Sequence, residues 1–376
     1  MTNSTISAHS VTLMTTPQYQ TRLTDALRTR YIGSKAWRDV TFYSFIKKGA
    51  CEHPDRVVFI DERRSLTYGE LKDQVDRCAT FLKGIGIGPG DVVTIQFPNR
   101  IEFPIVFFSL ELIGAIANKI SPDFRRHEVE YILRFSNSKA FVCASNFKGF
   151  DYAAMIDELR PTLPNLTTVV VSGDSVIKHV HSLEQGLATA APLAAAERVH
   201  MSPDAVMRMA FTSGTTGDPK GVMHCFNTTL YAAEVINSEM HVTSDEVLLI
   251  WLPVGLNWGY LSLLQTVMVG GGYTGFVAYE PFQFHLDYMV PPGSSGLLNS
   301  AGASGVNSAV GGSVGSGKDG GASSKGSDSS KSMSSTSVSN KVRITPPDWR
   351  AKGRWRRGVC TRVECMCMEG MIIITP

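Results

Sequence analysis

Apolar positions along the first three-quarters of the chain follow two alternating rhythms. Short β-branched or apolar runs alternate with longer segments of helical period. Val57 to Asp61 (VVFID) reads as a strand. Thr67 then caps a helix, with Glu70 at the capping-box position and Leu71, Val75, Cys78 and Leu82 on one face, up to a Gly-rich turn at 84–90. Asp91 to Phe97 is the next strand, followed by a helix over Ile101 to Ile113 with Gly114 beyond it. Arg126 to Phe135 is a further helix, and Ala140 to Ala144 and Thr168 to Val171 are strands. Ala190 to Arg198 is a connecting helix or loop before the strand Val206 to Phe211. This alternation is the signature of βαβ units. It predicts an α/β fold, with sheets flanked by helices.

Val247 to Tyr279 contains no charged residue and is longer than the roughly 20 residues a helix needs to cross a bilayer. Pro253, Gly255, Asn257, Gly259 and the run Gly270 to Gly272 interrupt it. No uniformly apolar 20-residue helix survives those breaks, so no transmembrane segment is expected. The better reading is a strand (247–252), a turn, a helix (259–268), a Gly turn and a strand (273–279).

The pattern breaks after Glu280. From Gly293 to Asn340, 28 of 48 residues are Gly or Ser, too few large apolar side chains to offset the entropy of ordering the segment. Residues 341–376 combine Pro346-Pro347, a basic run around Trp355 and the apolar close MIIIT, without a helical or strand period. Four parts follow: a polar extension (1–27), a folded α/β body (28–285), a disordered Gly/Ser tract (286–340) and a basic tail (341–376). Ending the folded sheet near Tyr279 predicts an unpaired strand edge and a tendency to aggregate.

Charge adds little to this picture. The formal net charge of +2 conceals a body, residues 1–285, with 25 basic and 28 acidic side chains, and a remainder with 11 and 6. A nucleic-acid partner is therefore not expected from the pI of 8.1. Seven cysteines imply no pairing scheme, and the start lacks a secretory signal, so a cytoplasmic location is the simpler expectation. A mitochondrial presequence is the alternative, because the first 24 residues are rich in Ser and Thr and hold no acid. The oligomeric state is not legible.

The densest chemistry lies in Phe211 to Gly221, FTSGTTGDPKG, directly after a strand. Glycines let successive backbone N–H groups converge on an anion, hydroxyls add donors that rotate to suit, and Lys220 adds a full positive charge. Those are the requirements of a polyphosphate cradle. A Walker loop is excluded, because Lys220 follows Pro219 and precedes Gly221. The Gly-rich turn at 84–90 is no dinucleotide fingerprint, since it carries Pro89 at the sixth position and leads into a strand.

In the order Thr-Ser-Gly-Thr-Thr-Gly-x-Pro-Lys-Gly, the segment resembles the adenylate-forming superfamily of acyl-CoA synthetases, aryl-acid adenylating enzymes and luciferases. The resemblance runs over residues 28–285 and includes Trp37-Arg38-Asp39, Leu66 to Leu71, Gly88 to Val93, Pro98-Asn99 and Ile113 to Ala115. Among subfamilies it is most similar to ligases for cyclic or medium-chain carboxylic acids. It implies the large N-terminal domain of such an enzyme, incomplete here, and an AMP-forming acid:CoA ligase activity. A small-molecule carboxylic acid would attack Mg-ATP to give an acyl-adenylate and pyrophosphate, and a thiol, usually coenzyme A, would then take the acyl group. By the match, Thr212, Ser213, Gly214, Thr215, Thr216 and Gly217 hold the phosphates, Lys220 neutralises them as the catalytic cation, and Thr212 helps place Mg²⁺. Leu256, Asn257 and Trp258 align with a segment near the acyl pocket.

Two other features carry less. His224, four residues past Lys220, reads as a helix-surface histidine rather than a ligand. Cys360, Cys365 and Cys367 are too irregularly spaced for a zinc site. Past residue 285 none of the family's later motifs is found: no aromatic-Gly-x-Thr-Glu, no Tyr-x-Thr-Gly-Asp, no hinge and no late lysine. The expectation is a truncated and weakly active or inactive enzyme, or a non-catalytic phosphate-binding remnant, with little ATP–pyrophosphate exchange. A basic tail that binds RNA or membranes is a third reading.

Overall fold

The computed structural model describes residues 19, 23–212, 219–270, 273–276, 362–364 and 371–375. The chain divides into two units, residues 1–280 with 356–376, and residues 281–355; every described residue belongs to the first. Two helices that the apolar pattern did not announce open it, α1 (Asp25–Gly33) and α2 (Phe42–Glu52). Then come β1 (Val57–Ile60), β2 (Ser65–Thr67), α3 (Tyr68–Gly84), β3 (Val92–Gln96), α4 (Glu102–Leu112), β4 (Ile116–Lys119), α5 (Arg126–Phe135) and β5 (Ala140–Ala144). A small hairpin of β6 (Asn146–Phe147) and β7 (Phe150–Asp151) leads to α6 (Tyr152–Leu159), β8 (Thr168–Ser172), β9 (His181–Ser182) and α7 (Leu183–Thr189). After β10 (Val206–Phe211) follow β11 (Gly221–Cys225), α8 (Phe226–Glu239), β12 (Val247–Ile250), α9 (Asn257–Val269) and β13 (Tyr273–Phe276), and near the end β14 (Arg362–Glu364) and β15 (Met371–Thr375).

Local signals explain the best-read elements. Thr67 Oγ1 accepts from the Glu70 N–H at 3.2 Å, and the Glu70 carboxylate accepts from the Thr67 N–H at 2.8 Å. That reciprocal pair starts α3 where the capping box foretold. Gly114 stands just past α4 with φ 72°, the left-handed conformation that stops a helix and that glycine adopts freely. Between Ala190 and Arg198, read as a connecting helix or loop, the chain is a loop with a single 3₁₀ turn, Ala195–Glu197.

The main sheet has seven strands in the order β11-β10-β4-β3-β5-β8-β9. All its pairings are parallel except β10–β11 at one edge. Parallel strands are covered on both faces, which is why β3, β4, β5 and β8 are buried at every position. Every residue of α4 is also buried, packed on β3 and β4 and against α2 and α3. A second sheet has the order β14-β15-β12-β13-β1-β2. Its parallel centre, β12-β13-β1, is joined by antiparallel partners on both sides.

The expected unpaired edge near Tyr279 is overturned by this order. β13 is internal, and the outer edge of β12 pairs with β15 in the register Val247 with Ile374 to Ile250 with Met371. Four consecutive apolar residues at the chain's end supply the β propensity for that pairing, although they are too few to show a period. Among the described residues, no helix is long and apolar enough to cross a membrane.

Candidate functional site

β10 ends where the Gly/Thr segment begins, and β11 starts where it ends. Of that segment Thr212, Pro219 and Lys220 are described; Ser213, Gly214, Thr215, Thr216 and Gly217 lie outside the described residues. The two ends are clasped. Thr212 N–H donates to the Lys220 carbonyl at 3.1 Å, and Lys220 N–H donates to Thr212 Oγ1 at 3.1 Å. From α5, the Tyr131 hydroxyl donates to the Pro219 carbonyl at 3.2 Å. The Phe211 ring stands edge-on to Phe135, 5.8 Å between centroids, and a Cβ at Gly221 would come within 3.2 Å of Phe211. The neck of the loop is thus fixed by hydrogen bonds and packing. Lys220 itself is exposed.

Beside the neck, at the carboxyl ends of the parallel strands, lies the amino end of α9. Asn99 staples the approach to it: its amide donates to the carbonyls of Ile250 and Leu252 at 3.2 and 2.9 Å, and its oxygen accepts from Val254 N–H at 2.9 Å. Gly255 follows because nothing larger fits. A Cβ there would stand 2.1 Å from the Ile120 carbonyl oxygen. Leu256 caps α9, and Asn257 and Trp258 form its first turn, two residues earlier than the expected start at 259. Leu256 and Trp258 are 41% and 39% exposed, so neither is the core packing that an apolar stretch suggests.

Under this opening the sheet presents three basic side chains on one face. Arg208 on β10 pairs with His224 on β11, and two residues further Ala210 pairs with Lys119 on β4, so the alternation of the pleat puts Arg208, His224 and Lys119 on the same side. The sequence expectation for His224 is corrected here. It lies on a half-buried strand position rather than on a helix surface, because β10 and β11 close as an antiparallel pair around the loop. Arg208 is 2% exposed, and its Nη1 donates to Asn257 Oδ1 at 3.0 Å. Lys119 is 1% exposed, and its Nζ donates to the Gly255 carbonyl at 3.0 Å. The Tyr260 ring covers both, 4.6 Å from the guanidinium carbon and 5.1 Å from the ammonium nitrogen.

Burial sets the protonation of this face. It holds the Lys119 amine well below the usual lysine range, and the nearby guanidinium pushes in the same direction. Arg208 is also lowered by burial. Burial first, and then the charges of Arg208 and Lys119, drive His224 down to about 3, which keeps its imidazole neutral at pH 7. The Tyr260 hydroxyl is pushed up by burial. Sequence reading did not single out Lys119, Arg208 or Tyr260. The available signal was a cation inside the otherwise apolar strand VMRMAF, where an unpaired charge is expensive.

Among the described residues no group of three or more His, Cys, Asp or Glu could hold a metal ion. Cys360, Cys365 and Cys367 lie outside them.

Comparison with known proteins agrees with the architecture. A sequence profile described as AMP-binding enzyme matches residues 46–289. The chain is 30% identical over 261 residues to a salicyl-AMP ligase / salicyl-S-ArCP synthetase of Mycobacterium tuberculosis, covering 67% of this chain and 45% of that protein. It is 28% identical over 236 residues to a medium-chain fatty-acid–CoA ligase of Escherichia coli, covering 62% and 41%. Among solved structures, apo MbtA of Mycobacterium smegmatis superposes with a TM-score of 0.63 at 28% identity, over 69% of this chain and 48% of that one. The inhibitor-bound N-terminal domain of FACL13 from Mycobacterium tuberculosis does so with a TM-score of 0.56 at 26% identity, over 64% and 57%. The chain spans less than half the length of these curated relatives.

Proposed function

Because the chain belongs to the AMP-binding enzyme family, we propose that it is the phosphate-gripping and acid-receiving part of an AMP-forming carboxylic acid ligase. One observation supports this reading: Thr212 and Lys220, the described ends of the Gly-, Ser- and Thr-rich segment, are clasped to each other where β10 ends and β11 begins, on the sheet whose Arg208 reaches the amino end of α9. Open α/β sheets bind ligands in the crevice outside the carboxyl ends of their strands.

In this reading a carboxylate oxygen attacks the α-phosphorus of ATP, pyrophosphate leaves, and the acyl-adenylate passes its acyl group to a thiol, for which coenzyme A is the proposed acceptor. No protein nucleophile is needed, so the chain's task is to position the reactants and stabilise charge. Ser213 to Gly217 would present N–H and hydroxyl donors to the β- and γ-phosphates, and Lys220 would neutralise charge that grows as pyrophosphate leaves. Thr212 fits a role beside Mg²⁺, which when bound would draw charge from the phosphate oxygens. Its hydroxyl oxygen already accepts from Lys220 N–H, which fixes the direction of its remaining lone pair. Asn257 and Trp258, with Leu256, would border the acid.

Calorimetric binding of Mg-ATP to the full chain tests the phosphate role. Lys220→Ala is expected to weaken binding about 10- to 100-fold, the scale of a charge-assisted contact. Equal affinity in wild type and variant overturns the assignment. ATP–pyrophosphate exchange with salicylate and medium-chain fatty acids, the acids named for two relatives, then separates a catalytic chain from a phosphate-binding remnant.

A further inference from the structure

The three bases under the amino end of α9 make the most unusual arrangement in the molecule. Lys119 and Arg208 are both buried, on adjacent strands and on the same face, and among the described residues neither forms an ion pair. Arg208 Nε is buried without a hydrogen-bond partner, and the Tyr260 hydroxyl is in the same state. A buried cation kept without an acid is costly unless something else brings the acid. The side chain that accepts from Arg208 Nη1, Asn257, is neutral and exposed, and it sits in the first turn of a 13-residue helix. The free amides of that turn and the positive end of the helix dipole favour an anion at the same spot.

We propose that the acid accepted by this chain carries a second anionic group, and that Arg208, His224, Asn257 and the first turn of α9 receive it. This deepens the ligase reading and rests on it. The reacting carboxylate belongs at the phosphate loop. The second group belongs where the guanidinium already points through Asn257 toward the surface. His224, a neutral ring on a half-buried strand position of the same sheet face, has an N–H donor to offer. Lys119 lies deepest, tied to the Gly255 carbonyl. The spacing limits the substrate. Thr212 directly follows β10 and stands four residues past Arg208, about 13 Å of extended backbone. Less the reach of a guanidinium, that fits two anions separated by a ring or a medium-length chain rather than by one carbon.

The test uses the full chain, calorimetry at constant ionic strength, and matched pairs: benzoate against terephthalate, and octanoate against suberate. The dianion of each pair is expected to bind about 10- to 100-fold more tightly, the range of one hydrogen bond to a charged group. Arg208→Met should bring the ratio to about one. His224→Glu, a change at a half-exposed position that the fold tolerates more readily, should do the same by repulsion, and it decides the matter if Arg208→Met does not fold. A ratio of one in the wild-type chain overturns the proposal, as does a ratio that survives His224→Glu. If Mg-ATP affinity still depends on Lys220 while the dianion preference is missing, this inference alone fails. If Mg-ATP affinity is indifferent to Lys220, the ligase reading fails first.

Discussion

Among the described residues, two arginine–tyrosine pairs have nearly the same geometry and opposite electrostatic character. In one, the Arg198 guanidinium lies 4.8 Å from the centroid of Tyr43, and in the other Arg208 lies 4.6 Å from that of Tyr260. The first is built around an acid. Asp76, 1% exposed, accepts from Arg198 at 3.0 Å, from Lys72 at 3.0 Å and from the Tyr43 hydroxyl at 2.8 Å. The second substitutes a neutral amide, Asn257, for the acid and adds another buried base, Lys119. Structural charge inside a protein comes with its counter-charge. The Asp76 cluster obeys that rule and closes α2, α3 and the segment after α7 together. The Arg208 cluster breaks it at the mouth of the crevice, and that difference separates a cluster that holds the fold from one that awaits a ligand.

The strongest way to break this comparison is to remove the central group of each cluster. Asp76→Ala leaves the partly buried Arg198 unpaired, and should cost about 3–5 kcal/mol. Arg208→Met leaves no orphaned charge, fills similar space beside Tyr260, and should change stability by no more than about 1 kcal/mol in either direction. Urea unfolding of both variants at neutral pH measures the contrast. Equal losses would place Arg208 in the scaffold.

A smaller effect should follow at Gly255, where backbone geometry rather than charge positions the second cluster. An added methyl meets the Ile120 carbonyl oxygen at 2.1 Å, and backbone cannot swing aside as a side chain does. Gly255→Ala is expected to cost about 1–3 kcal/mol, the range of overpacking. It should also displace the carbonyl that holds Lys119. Acid binding should therefore fall in Gly255→Ala while the Asp76 cluster stays intact, a result that a thermal melt combined with calorimetry can resolve.

How far the sequence revealed these features depended on the range of the interactions involved. The α3 start was legible because Thr67 and Glu70 satisfy each other within four residues. β5 and β8 were legible because parallel strands buried on both faces read as nearly continuous apolar runs. β4 was not, since Asn118 and Lys119 interrupt its run with donors whose partners, Thr94 Oγ1 and the Gly255 carbonyl, lie 24 and 136 residues away. α6 and α7 are short, and their stability comes from packing rather than from a long apolar stripe. At the site, the loop's composition was visible, whereas Arg208 and Lys119, 89 residues apart in sequence, meet only through the β4–β10 pairing. The β15 partner of β12 is more distant still, over 120 residues away.

The smallest expected effect concerns acidity, where the two clusters should respond with opposite sign. His224 has an ordinary value of 6.5 that burial and the neighbouring cations lower to about 3, so between those values the unfolded chain binds a proton that the folded chain refuses. Its contribution to stability is present above pH 6.5 and is lost as pH falls toward 3. Glu111, whose carboxylate accepts from the Tyr43 N–H at 3.1 Å beside the Asp76 cluster, is raised by burial from 4.5 to about 7. There the folded chain holds the proton more tightly, so stability is gained as pH falls from 7 to 4.5. The two terms oppose each other over pH 4.5–6.5, which should leave the wild-type profile flat. Substitution separates them. Relative to wild type, His224→Gln should gain stability as the pH falls through this window, and Glu111→Gln should lose it. Denaturant midpoints at pH 7.5, 6 and 5 read the two slopes directly, and slopes of the same sign would mean that the two buried environments do not differ as their charges require.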